Sequence, residues 1–135
     1  METRISPHFR RSEFACRCGC GFSVVDAELL YVLEEVRMHF AVEYMGDNIK
    51  IEIMSGCRCP GHNRKVGGAA KSQHVFGIAA DIKVWREWKL KQVPPSEVAA
   101  YFNAAFPDTY GVGEYSAWTH IDVRESKSRW RGGEL

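Results

Sequence analysis

Ser72-Gln73-His74-Val75-Phe76-Gly77-Ile78-Ala79-Ala80-Asp81 sets a histidine and a carboxylate seven positions apart, with one glycine and two alanines between them. From Ile78 to Val84 the chain alternates. Ile78, Ala80, Ile82 and Val84 belong to one face of a strand, and Ala79, Asp81 and Lys83 to the other. Asp81 is then held on a rigid element whose apolar face packs inward. Gly77 allows a turn just before the strand, so that His74 can fold back beside Asp81. The small side chain of Ala79 leaves room beside the carboxylate.

Downstream, Trp118-Thr119-His120-Ile121-Asp122-Val123 repeats the pattern. Ile121 and Val123 form one face, and Trp118, His120, Asp122 and Arg124 the other. If the two strands lie side by side, His120 and Asp81 point at one spot. Two histidines and a carboxylate form a three-ligand set for zinc that leaves a fourth position open. A histidine on a strand also serves as an ordinary structural residue, so spacing alone leaves both readings standing.

Ser72-x-His74-x-x-Gly77-x-Ala79-x-Asp81 resembles the SxHxxGxAxD motif of the D-alanyl-D-alanine carboxypeptidase-like zinc peptidases, with every specified position matched. That family includes vancomycin-resistance dipeptidases and phage endolysins, and shares a core with the hedgehog-type zinc domain. Ser55-Gly56-Cys57-Arg58 is similar to the family's SGYR segment, and His120 falls at the third ligand position. The resemblance runs from about Phe9 to Trp130. It implies an α+β fold, a Zn²⁺ ion on His74, Asp81 and His120, and hydrolysis of peptidoglycan stem peptides, as a carboxypeptidase or an endopeptidase. It also implies that Arg58 steadies the oxyanion or grips a substrate carboxylate, for which a planar guanidinium is suited. Ser72 is expected to order the loop or touch substrate, and Trp118 to wall the pocket. Several relatives carry an acid three residues before the last histidine, where this chain has Ala117. Glu114, at the spacing of the hedgehog-type glutamate, is therefore expected as general base, with Asp122 as the other candidate or as a support for His120 or Arg124. The missing acid at Ala117 also keeps alive a zinc-stabilised binding module without turnover.

The 135 residues suit a single domain over 1–135 with one modest core, and 45% hydrophobic and 26% charged residues are ordinary for a globular chain. A formal net charge of +1 dictates no partner. Arg58, Arg64, Lys65 and Lys71 make a short basic patch, read as a solvated loop, so no nucleic acid partner is expected. No apolar run approaches the ~20 residues of a membrane span. The N-terminus, Met1 to His8, has no apolar signal core, so the chain is expected to be made in the cytoplasm and to act on the cell wall if released, as a phage lysin is; a fragment whose export signal was trimmed would fit as well. A monomer is expected.

Residues 1–22 read as an irregular segment held by Phe9, Phe14 and Phe22 and carrying Cys16, Cys18 and Cys20. Ser23 or Asp26 can cap a first helix with Leu29, Leu30, Leu33, Val36 and Phe40 inward, and Glu28, Glu34, Glu35 and Arg37 toward water. His39 is expected at the surface or as a cap. Ile49, Ile51 and Ile53 mark a half-buried strand, and Pro60 to Ser72 a long loop. Ser96 can cap a second helix carrying Val98, Tyr101, Phe102, Ala105 and Phe106. Two short strands follow around a tight connection, then a charged tail in which Trp130 docks. With no repeating βαβ order, these elements predict a small antiparallel sheet with flanking helices. The five cysteines, Cys16, Cys18, Cys20, Cys57 and Cys59, are open to three readings: free thiols, disulfides, or four ligands of a second metal.

Overall fold

The alternation around Asp81 becomes strand β4 (Ala79–Arg86), in which Ala80, Ile82 and Val84 are fully buried. A computed structural model describes residues 4–69 and 72–132 of the chain. The expectations for Met1 to Thr3, for Lys71 and for the last three residues lie outside that range. Before β4, residues Gln73–Phe76 form one 3₁₀ turn that ends at Gly77 with φ of 72°. A Cβ at Gly77 would meet the Val24 carbonyl oxygen at 2.9 Å, so glycine is required by both conformation and space.

In the main sheet β3 (Ile49–Ser55) pairs with β4, β4 with β7 (Thr119–Asp122), and β7 with β6 (Gly111–Glu114), all antiparallel. A short β5 (Lys91–Gln92) pairs with the far end of β4. The tail is more ordered than expected: Ser128–Arg131 forms β8, which runs parallel to β6 and corrects the antiparallel expectation at that edge. A parallel neighbour needs a return path: β7 runs back along β6, and Val123 to Lys127 then carries the chain across to Ser128, opposite Gly111.

Helices α1 (Ala27–Glu43) and α3 (Pro95–Ala105) pack on one face of this sheet. Leu29, Leu33, Val36 and Phe40 of α1 are buried as expected, and Val32 joins them. Each such side chain contributes ~1.5–3 kcal/mol on burial. Asp26 caps α1, accepting the Glu28 amide at 2.8 Å. Helix α3 starts at Pro95, one residue before the expected Ser96 cap, with no side-chain cap. Proline pre-sets φ and loses no hydrogen bond in a first turn, which removes the need for one. His39 stacks on Tyr101 at 4.3 Å, bridging α1 and α3 rather than standing free at the surface.

The N-terminal segment is also less irregular than expected. Arg4–Ser6 (β1) and Phe9–Arg10 (β2) form a two-stranded ribbon, followed by a 3₁₀ turn, Arg11–Phe14. Glu34, expected to face water, accepts from the Ser6 hydroxyl and the His8 amide, both at 2.8 Å, and ties the ribbon to α1. Within the expected loop after β3, Pro60–Lys65 forms a short helix, α2. The molecule is thus α+β, with three helices and two sheets among the described residues. No described helix is long and apolar enough to cross a membrane.

Candidate metal centre

The register of β4 against β7 sets Asp81 directly opposite His120. Side chains opposite one another in a ladder share a face, so both project from the side of the sheet away from α1 and α3. The 3₁₀ turn before β4 then lays His74 beside them, with the two imidazole centroids 5.1 Å apart. One donor atom from each of His74, Asp81 and His120 can be chosen so that all lie within 4.8 Å of one another. His74 Nε2 is 3.3 Å from Asp81 Oδ2, and His120 Nδ1 is 3.0 Å from Asp81 Oδ1. Bonds of ~2.0–2.2 Å to a tetrahedral ion would separate such atoms by ~3.3–3.6 Å. The donor types therefore fit zinc, and the His74–Asp81 separation falls within that spacing.

The outer nitrogens are already used. His74 Nδ1 donates to the Gly56 carbonyl at 2.6 Å, which leaves Nε2 with a lone pair toward Asp81. His120 Nε2 donates to Asp122 Oδ2 at 2.7 Å, which leaves Nδ1 facing Asp81. Asp122 is fully buried, and Arg124 holds it through Nε to Oδ1 and Nη2 to Oδ2, both at 2.7 Å. Partners of this kind fix imidazole orientation and raise ligand basicity.

Burial pushes the Asp81 carboxyl up, but hydrogen bonds from His120 and His74 outweigh it and hold the group well below the usual range. Burial likewise works against Asp122, and hydrogen bonds from His120 and Arg124 hold it well below the usual range. His120 moves the opposite way: burial lowers it, but bonding to Asp122 and Asp81 raises it above the ordinary value. Two carboxylates flanking one buried ring favour imidazolium when no cation is bound.

The trio lies on a cleft of about 440 Å³ lined also by Arg58, Ser72, Gln73, Tyr115, Trp118, Arg124 and Trp130. Arg58 Nη2 is 3.6 Å from Asp81 Oδ2, while its Nε donates to Ser55 and its Nη1 to Asn63. Ser72 accepts the His74 amide at 3.2 Å, so its hydroxyl orders the turn that carries His74 as well as lining the cleft. Trp118 stacks on Tyr115 at 4.7 Å and 11°. Trp130 packs against His120 at 5.0 Å, and its indole donates to the Tyr115 hydroxyl at 3.0 Å. Trp130 can lie there because Gly113, opposite His120, has no side chain: a Cβ would meet the indole at 2.4 Å.

Glu114, expected as general base, is not brought beside the trio. It pairs with Thr119, not with His120, and so points to the opposite face of the sheet. There it borders Ala99 and Asn103 of α3, with Arg131 Nη2 3.4 Å from its carboxylate. Asp122 is on the correct face but sits behind His120, occupied by it and by Arg124. Its carboxylate faces His120 and Arg124 rather than the open cleft. The sequence reading missed the Gly56 carbonyl, Tyr115 and Gln73. A backbone carbonyl has no residue signature, but Tyr115 stands beside Glu114 in the same hairpin and could have been weighed.

The family model for Peptidase M15 matches residues 7–122. No curated protein and no solved structure matches the chain.

Proposed function

Because the chain belongs to the Peptidase M15 family, a family of metal-dependent peptidases that usually use zinc, we propose that it is a zinc peptidase hydrolysing peptidoglycan stem peptides. The substrate is a stem carrying D-alanine or another D-residue, cut as a D-alanyl-D-alanine carboxypeptidase or as an endopeptidase of the endolysin type. The reading includes one domain over residues 1–135, a hedgehog-type zinc fold, a monomer, and action on the cell wall after release. The observation that carries it is the convergence of His74, Asp81 and His120 on an open cleft, with the outer nitrogen of each histidine already held.

His74, Asp81 and His120 would hold a zinc ion, which would supply Lewis acidity and lower the pKa of a water from ~15.7 toward ~7. The rest of the work belongs to side chains of this chain. Gly56 and Asp122 keep the two imidazoles in the tautomers that present Nε2 and Nδ1. Arg124 keeps Asp122 ionised and in place. Arg58 lies at the rim of the trio, where its guanidinium can pair with a substrate carboxylate or with the developing oxyanion; a good oxyanion donor is worth ~3 kcal/mol. Trp118 and Tyr115 offer a flat wall to an apolar side chain.

A second reading, a zinc-stabilised binding module without turnover, is favoured by the same geometry on one point. Glu114 faces away, and Asp122 is sealed behind His120. Mass spectrometry of muropeptides incubated with the zinc-loaded protein, with and without chelator, decides between the two. Chelator-sensitive cleavage supports the peptidase. Intact stems bound by zinc-loaded protein support the module.

A further inference from the structure

The N-terminal segment carries a second group of metal-ligating side chains, outside the cleft. Cys16 and Cys18 come from the turn after the first 3₁₀ helix, which the Gly19 amide closes onto the Cys16 carbonyl at 3.2 Å. Cys20 follows, and Cys59 arrives from the end of the β3–α2 connection, about 40 positions on. Sγ atoms of Cys16, Cys18, Cys20 and Cys59 all lie within 4.8 Å of one another. The Cys16–Cys18, Cys18–Cys59 and Cys16–Cys59 separations are 3.5, 3.7 and 3.8 Å. Zinc–sulfur bonds of ~2.3 Å in a tetrahedron set sulfurs ~3.8 Å apart. None of these sulfurs is joined to another.

Two further observations separate this group from an accidental gathering of thiols. Backbone amides already point at the sulfurs: the Cys59 amide at Cys16 Sγ and the His62 amide at Cys59 Sγ, each at 3.4 Å. Such N–H donors suit thiolates, the form that ligates. The fifth cysteine is excluded. Cys57 is buried, and its thiol faces the Phe14 and Phe22 carbonyls at 3.2 Å each. Five cysteines thus divide into four that converge and one that packs.

We propose that Cys16, Cys18, Cys20 and Cys59 bind a structural zinc ion, separate from the cleft. Four soft thiolates in a tetrahedral arrangement select zinc, and they fill its coordination shell so that no open position remains. The ion clamps the N-terminal segment to the connection that carries Arg58, the residue immediately before Cys59. A core built on 135 residues gains such a clamp where the chain has little regular structure of its own.

The test is metal analysis of the full chain purified under reducing conditions with zinc, together with its cobalt-loaded form. Wild type is expected to hold two zinc ions per chain, and His74→Ala, Cys59→Ser and Cys18→Ser one each. Cobalt should give the intense near-ultraviolet thiolate charge-transfer band in wild type and His74→Ala, and lose it in the two cysteine variants. Cys18 is exposed, so its substitution does not disturb packing if Cys59→Ser should fail to fold. Wild type holding a single zinc that His74→Ala removes overturns the proposal. So does a cobalt-loaded wild type without the charge-transfer band, or one whose band survives in both cysteine variants. Loss of the cleft metal leaves the cysteine readout intact, so failure of the proposed function and failure of this site are distinguishable.

Discussion

The cleft trio and the cysteine cluster bring their side chains together in opposite ways. Asp81 and His120 are neighbours across a β ladder, fixed by the hydrogen bonds of two strands, and each histidine is steadied by an outer partner. The four cysteines sit on loops and a helix cap, with the Cys59 and His62 amides pointing at two of the sulfurs. The first site is assembled by the fold and stays open on one side. The second is assembled from segments that no strand ladder fixes so firmly. An ion at the trio would therefore be a passenger on a finished scaffold, whereas an ion at the cysteines would be part of the scaffold.

The largest effect is expected from His74→Ala. Removing a direct ligand should abolish cleft metal and lower muropeptide hydrolysis by more than the ~10²-fold that loss of an outer partner can cost. With zinc, both His74→Ala and Cys59→Ser should melt below wild type, since each loses an ion that stabilises the folded state, and Cys59→Ser should melt the lower of the two. The reverse ranking of melting temperatures would break the comparison.

The pH dependence sharpens it. Without metal, the pKa of His120 is raised above its ordinary value, so at pH below that raised value the ring carries a proton that the cation must displace. Cleft zinc affinity should therefore rise with pH, ~10-fold per unit, until the pH passes that raised pKa. The metal-free protein shows the opposite sign: the stability contributed by protonated His120 is full below ~6.5 and is lost as pH rises through the raised value. Asp122, with its pKa depressed, contributes stability above ~4 that is lost on acidification. Competition titrations and thermal melts across pH 5 to 9 check the first two signs. Melts carried to lower pH check the third.

Asp122→Asn tests the support role. Zinc affinity at the cleft should fall ~10–100-fold, with activity recovered in excess zinc and the cysteine-bound ion unaffected. The smallest effect is reserved for Glu114→Gln. With its carboxylate on the far face beside Arg131, kcat/KM should stay within ~2-fold of wild type. A general base would cost ~10²–10⁴, so a loss of that size would mean that the β6–β7 register differs from the one described.

That last test marks a limit of the sequence reading. Glu114 and His120 are six residues apart around a tight connection, and spacing alone could not say which residue each one faces. A register shifted by one would set Glu114 opposite His120 and turn it into the cleft. The observed hairpin, with the Tyr115 amide bonded to the Trp118 carbonyl, pairs Glu114 with Thr119 instead. The β8 strand escaped notice because Ser128–Arg131 is polar except for Trp130, and its pairing comes from β6 rather than from its own pattern.

The sequence by itself determined the local rules. Alternation from Ile78 to Val84 put Asp81 on the face opposite the core, helical spacing put Phe40 and Leu33 inside, and Gly77 marked the turn beside His74. Periodicity is a property of a single segment, so a single segment suffices to read it. Only the tertiary structure decided which segments became neighbours. It set β4 beside β7, closed Asp122 and Arg124 behind His120, turned Glu114 away, and brought Cys59 to the three N-terminal cysteines. Those outcomes depend on strand order, register and chain reversal over tens of residues, which arise from packing between elements and leave no period in the sequence.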